Sequence, residues 1–379
     1  MDISNDKTAC IPIVVDEKPK AVVGGKYELD VVIGSGSFAN IWRAKDLTDN
    51  KLVAVKSYKK IDSSNIEEYL NEVKILTAIH NTKVAHKDCV SGVGADNVMK
   101  LYGVDVNFNS INIQDSTDLR CSIFTNYGSC NLEDLLDKVP HNFPTGKYFN
   151  ILDQIYKGLE YIHSRGFVHS DIKPDNVIVN ESIDEILGGK APTVFICDFN
   201  TAFKDNGNVY GADNGHTASY AAPEVLLDGK VNKDIDIWSL GCIAGRMFNG
   251  DDIFPGDNDT STRKITTKTG TYFDYHILKT NFVLVTIFEF LGPLPKELYD
   301  GCRLAKLYFN EEGDPRYGSL DHSADEKKAV LKDIFKDHSP VDLGKKVDYV
   351  LKCLRYTDRG FAPKHKKKPA KPPKLSRPK

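Results

Sequence analysis

The middle of the chain alternates brief apolar runs with charged loops. Phe167-Val168 and Val177–Val179 bracket the polar stretch His169-Ser170-Asp171-Ile172-Lys173-Pro174-Asp175-Asn176. Both are short apolar runs with a polar loop between them, and Val177–Val179 reads as a short buried strand. Upstream, Tyr27–Val32 alternates enough to predict a strand, and the run Val53-Ala54-Val55 ends in Lys56. Further strands are predicted over Val98–Tyr102 and Arg120–Phe124, and another over Val194–Cys197. Between them Ile66, Tyr69 or Leu70, Val73, Leu76 and Ile79 or His80 recur at helical spacing, which predicts an amphipathic helix. Ser64-Asn65-Ile66-Glu67 supplies a capping box at its start. Glu72 falls at the flank of that stripe. A long helix is predicted from Phe149, Leu152, Ile155, Leu159 and Ile162, ending at Gly166. The stretch Glu181–Pro192 reads as a small insertion with helical character, and Asp236–Gly241 as the start of a buried helix.

Two strands at the beginning flank a glycine-rich turn. Ile33-Gly34-Ser35-Gly36-Ser37-Phe38-Ala39-Asn40-Ile41 joins them. Glycines in such a turn let backbone N–H groups come close to a phosphate. Taken alone, the same turn is an ordinary hairpin. Lys56 alone is a solvated strand end, Glu72 a solvated helix acid, and the late Arg359 a surface cation. Their order and spacing give them another meaning.

Composition narrows the class. A chain of 379 residues with 41% hydrophobic content is long enough for two lobes around a cleft. The 8 cysteines form no C-x-x-C pair, so neither a zinc site nor a disulfide framework is signalled, and a cytosolic or nuclear protein with reduced thiols is expected. The N-terminus has no apolar core, so no signal peptide is expected. The apolar run Phe282–Ile287 is far shorter than a membrane span. The net charge of −3 hides an asymmetry: residues 363–379 carry eight Lys/Arg and five Pro with no acid or aromatic, which leaves −11 on the rest. Such a tail cannot bury a core and is expected to be disordered. It suits a nuclear import signal read by an import receptor, or an electrostatic tether to an acidic partner or nucleic acid. A solubilising tail is the plainer reading.

The motifs together resemble those of the eukaryotic protein kinase family, from about Tyr27 to Ala362. His169-Ser170-Asp171-Ile172-Lys173-Pro174-Asp175-Asn176 is similar to the family's catalytic loop, Val53–Lys56 to its strand lysine motif, Asp198-Phe199-Asn200 to D-F-G and Ala222-Pro223-Glu224 to A-P-E. The resemblance implies an α+β fold with a small β-rich lobe over 27–125 and a larger helical lobe over 129–362, an arm over 1–26 and a tail over 363–379. It implies ATP and Mg²⁺ as cofactors. Asp171 would be the catalytic base and Lys173 would steady the γ-phosphate. Asn176 and Asp198 would hold metal. The turn from Ile33 to Ile41 and Ala54 would cover the nucleotide, with Lys56 on its phosphates and Glu72 orienting Lys56. Adenine would bond backbone near Thr125 and Tyr127, with Phe124 guarding the pocket behind it. Asp236 would brace the catalytic loop, and Arg359 would pair with Glu224.

Lys173 together with Thr217 resembles the serine/threonine branch. Phe124 and an insertion over 250–309, containing Ile287–Pro295, are similar to the group of cyclin-dependent, MAP and SR-protein kinases. The catalytic loop looks most like the SR-protein kinases, which with the acidic body points to basic or Arg/Ser-rich protein substrates. Ala221 departs from that group, which usually has Arg there. Three further departures are Ala39 for the third glycine of the turn, Ser170 for the catalytic-loop arginine, and Asn200 for the D-F-G glycine. Ser170 cannot pair with an activation-loop phosphate, so activity independent of that phosphate is expected. Asn200 is expected to suit a left-handed backbone. The same departures support a rival reading, a pseudokinase that binds partners on the same fold.

Overall fold

The computed structural model describes residues 19–36, 39–58, 66–81, 93–108, 119–140, 143–211, 215–254, 265–267, 270–272, 275–316, 335, 342–357 and 359. Residues 1–18 of the expected arm over 1–26, Ser37, Phe38, Ser64, Asn65 and the basic tail lie outside them.

The first third of the chain carries a six-stranded antiparallel sheet. Its strands are β1 (Val22–Val23), β2 (Tyr27–Ser35), β3 (Ala39–Asp46), β4 (Leu52–Tyr58), β5 (Leu101–Phe108) and β6 (Leu119–Asn126), in the order β1-β2-β3-β4-β6-β5. β4 is central, and Lys56 stands opposite Ile41 of β3 and Ile123 of β6. Helix α1 (Ile66–His80) packs against this sheet. Its buried face is Tyr69, Glu72, Ile75, Leu76 and Ile79. Leu70 points out, so Tyr69 settles the alternative in the predicted stripe. Glu72 is not at the flank; it is fully buried. The strand predicted at 98–102 begins at Leu101 and runs on to Phe108. Val98 instead makes an isolated bridge to Ile196.

The remainder, from Cys130 on, is mainly helical among the described residues. In chain order it contains β7 (Cys130–Asn131), α2 (Leu132–Lys138), α3 (Thr145–Ser164), β8 (Phe167–Val168), β9 (Val177–Val179), α4 (Ile183–Leu187), β10 (Val194–Ile196), β11 (Phe203–Lys204), α5 (Pro223–Leu226) and α6 (Asp234–Asn249). A hairpin β12 (Ile265–Thr267) and β13 (Gly270–Tyr272) follows, then α7 (Tyr275–Leu291), α8 (Lys296–Gly301), α9 (Ala305–Tyr308) and α10 (Leu343–Cys353). β9 pairs with β10 and β7, and β8 with β11. These small sheets carry the loops between them at fixed positions. α6 is buried on nearly every side, as expected of a helix without a polar face. Gly241 lets α10 approach it, since a Cβ there would lie 2.6 Å from Cys353 Cβ. Among the described residues no helix is long and apolar enough to cross a membrane.

The end of the chain is tied back by a buried ion pair. Arg359 Nη2 donates to Glu224 Oε2 at 2.8 Å and Nη1 donates to Oε1. The guanidinium also lies over the Trp238 ring, 4.9 Å from its centre. Removing one partner strands a buried charge, which costs about 3–5 kcal/mol. Arg359→Met is therefore expected to lower the thermal unfolding temperature sharply. Glu224→Gln with Arg359→Met should cost less than the two single changes added. Strict additivity across this cycle in calorimetry would show that the pair does not couple.

Candidate active site

The cleft between the sheet and the helical half encloses a cavity of about 450 Å³. Its roof is the β2–β3 hairpin, whose turn closes with Gly36 N–H donating to Ala39 C=O at 2.9 Å. Ile33, Gly34, Gly36, Ala39 and Ile41 line it, with Ala54 and Lys56 from β4. Ser35 and Asn40 do not; Ser35 Oγ donates to Asn40 Oδ1 at 2.9 Å and pins the hairpin end. At the back lie Thr125 and Tyr127 from the connection between the lobes. Gly128 follows, where a Cβ would meet Ile178 Cγ2 at 2.2 Å, so only glycine lets this connection rest on β9.

Phe124 is a correction. It faces away from the cleft and stacks on Tyr27, ring centres 4.3 Å apart, among Trp42, Val53 and Val55 on the outer side of the sheet. Ile123 takes the inward place. Strand parity decides this, because neighbouring residues of a strand face opposite ways. Two adjacent apolar residues gave the sequence no sign of which pointed in, although the polar Ser122 and the inward Cys121 carry the alternation.

Three charged groups meet in the cleft. Lys56 Nζ donates to Glu72 Oε2 at 2.8 Å and to Asp198 Oδ1 at 2.8 Å. Burial disfavours the charge on Lys56, but Glu72 and then Asp198 outweigh it and hold the ammonium well above its ordinary pKa. Burial likewise opposes ionisation of Asp198, and Lys56 reverses the balance, leaving the carboxyl below its ordinary value. Asp198 itself holds the left-handed conformation, φ 64°. Asn200 does not have positive φ, so the left-handed turn expected there falls two residues earlier. Its carbonyl is instead held by Asn71 of α1.

The loop between β8 and β9 is held from below. Asp236, in the first turn of α6, accepts from the N–H groups of His169 and Ser170, both at 2.9 Å. His163 is its third partner, at 2.7 Å. His169 meets Cys197 C=O at 2.9 Å and stands edge-on to Phe199. Asp171 then projects with every acceptor position used. Oδ1 accepts from Thr217 N–H at 3.2 Å and Thr217 Oγ1 at 3.0 Å. Oδ2 accepts from Asn176 Nδ2 at 3.1 Å and pairs with Lys173 Nζ at 2.9 Å. Lys173 Nζ also donates to Thr217 Oγ1 at 2.9 Å. Thus the structure brings Asp171, Lys173, Asn176 and Asp198 to one end of the cleft.

The donor set there fits Mg²⁺. Asn176 spends its Nδ2 on Asp171 C=O and Oδ2, which leaves its amide oxygen for a cation. Lys56 takes only Oδ1 of Asp198, which leaves Oδ2. A few hard oxygens, with water completing the shell, are what Mg²⁺ accepts. Among the described residues no cluster of three or more His, Cys, Asp and Glu forms another metal site.

Comparison with known proteins agrees with this geometry. The chain matches the protein kinase domain over residues 27–286. Cyclin-dependent kinase-like 5 of Homo sapiens is 26% identical over 305 residues, 79% of this chain and 25% of that protein. Cyclin-dependent kinase-like 2 of Homo sapiens is 27% identical over 243 residues, 62% of this chain and 42% of that protein. Mitogen-activated protein kinase HOG1 of Exserohilum turcicum is 31% identical over 265 residues, 69% of each chain. The chain thus spans only about a quarter of the first relative and two fifths of the second. With a two-lobed fold, a lysine–glutamate pair roofed by a glycine-rich hairpin, and a braced Asp-Lys-Asn loop, the chain belongs to the protein kinase domain family, and its relatives lie among the cyclin-dependent-like and mitogen-activated kinases.

Proposed function

We propose that the protein is an active serine/threonine kinase that transfers the γ-phosphoryl group of Mg–ATP to hydroxyls of protein substrates. The observation that carries this reading is the surround of Asp171, with Lys173 at 2.9 Å and Asn176 at 3.1 Å. A substrate hydroxyl oxygen bonds to the γ-phosphorus as the bond to ADP breaks, and Asp171 takes the hydroxyl proton. Lys173 offsets charge on the group in transfer. Lys56, fixed by Glu72, orients the α- and β-phosphates. Bound Mg²⁺, held by Asn176 and Asp198, would neutralise charge on the phosphates. The departures at Ala39, Ser170 and Asn200 remove none of these groups, which weighs against the pseudokinase. The acidic body favours basic protein substrates, and Asp134 and Asp175 at the cleft add to that preference.

Asp171→Asn is expected to lower kcat on basic peptides by about 10²–10⁴-fold, the usual worth of a positioned base, with ATP affinity nearly unchanged. Equal transfer by both proteins in a radiolabelled phosphate assay with Mg²⁺ would remove Asp171 from the role.

Ser170 generates a second expectation. Its N–H is spent on Asp236 and it carries no cation, so it offers an activation-loop phosphate nothing to bind. Phosphatase-treated protein should keep its full transfer rate; complete loss of activity after treatment would contradict this. Thr217→Ala is a poor probe of the same question, since the hydroxyl already bonds Asp171 and Lys173.

A further inference from the structure

We infer that Tyr58 and Asn71 are positioning residues that hold helix α1 against the cleft through neutral hydrogen-bond donors, so that the Lys56–Glu72–Asp198 cluster stays assembled without an activating phosphate. The inference rests on the kinase reading for its link to catalysis, while the contacts themselves stand apart from it.

Glu72 needs such help. Its side chain is fully buried. Among the described residues its Oε1 has no hydrogen-bond partner. Both of its bonds therefore fall on Oε2, from Lys56 at 2.8 Å and from Tyr58 Oη at 3.0 Å. A carboxylate held through one oxygen by one flexible ammonium can pivot. A second donor fixed to a rigid ring stops the pivot. Tyr58 is such a donor. It ends β4, two residues after Lys56, and is itself buried. Its ring stands edge-on to Tyr69 of α1, centres 5.3 Å apart at 83°. It thus grips the helix one turn ahead of Glu72 as well as at Glu72. Burial, then the charge of Glu72, raises the hydroxyl's pKa far above its ordinary value, so it remains a donor.

Asn71 grips the other side. Its Nδ2 donates to the carbonyls of Asn200 at 3.0 Å and Ala202 at 2.9 Å. Both amide protons are used on backbone that follows Asp198. The contacts close a ring: Glu72 to Lys56, Lys56 to Asp198, along the backbone to Asn200, and through Asn71 back to Glu72. One side of the ring is ionic, through Lys56; the other opens only if the two uncharged Asn71 bonds to backbone carbonyls break. Thr201 adds a bond from its hydroxyl to His169 C=O at 3.4 Å. The segment after Asp198 is therefore moored to α1 and to the catalytic loop by neutral groups, in a protein whose catalytic loop has Ser170 in place of a cation.

The test uses the full chain with Tyr58→Phe, Asn71→Leu and the double variant, read by amide hydrogen exchange, nucleotide affinity, kcat and KM for ATP, and thermal melting. Asn71→Leu should speed exchange across 199–205 by about tenfold or more while distant helices keep their protection. Tyr58→Phe should raise KM for ATP by about tenfold or more, the scale of a hydrogen bond to a charged group, in a protein that still melts cooperatively a few degrees lower. The double variant should exceed the product of the two. Folded variants with wild-type exchange and wild-type KM would overturn the inference. Tyr58→Phe removes one oxygen and keeps the packing, so it decides the case even where Asn71→Leu does not fold. A wild type that transfers no phosphate would defeat the kinase reading, while exchange and nucleotide affinity would still decide the clamp.

Discussion

The carboxylate of Asp236 has no contact with solvent, and the geometry of the catalytic end depends on it. Burying a charge is costly unless donors replace the water. Here three do: the His169 and Ser170 N–H groups and His163. Burial pushes the carboxyl's pKa up, yet the His163 bond and the remaining donors leave it below its ordinary value. The place of Asp236 in the first turn of α6 adds the favourable field of a helix N-terminus. Because both N–H groups must point down at one side chain, the backbone has little freedom. Ser170 accepts a left-handed φ of 75°, and the chain reverses so that Asp171 faces the cleft. A helix buried on nearly every side thus sets the direction of a side chain on the loop above it.

That dependence explains which parts could be read from the sequence. α1 and α3 announced themselves by apolar spacing. Lys56 and Glu72 were legible as partners only through their place in an ordered series of motifs, since each alone is an ordinary surface residue. β9 and β10 were legible because short apolar runs have few alternatives. Phe124 was not: it and Ile123 are both apolar, and only the register of β6 against β4 decides which one faces in. Asn200 misled for a related reason. A residue tolerant of left-handed backbone suggested where the turn would be, but the cluster around Lys56 placed it at Asp198. Asn71 left no signal at all. It is a polar residue beside the apolar stripe of a helix, and its partners lie 129 and 131 positions away.

Charged and uncharged side chains take different parts around the cleft. In the proposed reaction most groups that would meet phosphate or metal are ionic, Lys56, Lys173 and Asp198, with the Asn176 amide the neutral member. Groups that fix geometry are largely uncharged: Tyr58, Asn71, Thr217 and the glycine at 128. An ion pair placed only for geometry would pay desolvation at both ends, whereas an amide on two carbonyls satisfies both partners at once. Asp236 and Glu72 are charged exceptions at the site, and the buried pair Arg359–Glu224 is another. It ties a late stretch of chain to α5, far from the chemistry, where the bidentate fork fixes orientation as a single hydrogen bond would not.

The surround of Asp171 carries one more consequence for the proposed reaction. A carboxylate offers about four acceptor positions, and here four donors use them: Thr217 twice, Asn176 and Lys173. A substrate hydroxyl can reach the base only if one gives way. Three of the donors are tied in place: Thr217 N–H is part of the chain, Thr217 Oγ1 also accepts from Lys173 Nζ, and Asn176 is also bonded to Asp171 C=O. Lys173 is different. It carries three donors on a flexible stem, and a γ-phosphate offers it a stronger partner than a carboxylate it shares. On this reading nucleotide draws Lys173 off Oδ2, and the vacated position receives the hydroxyl. The base is then free only when the phosphoryl group is in place, which couples acceptor binding to donor binding through one side chain.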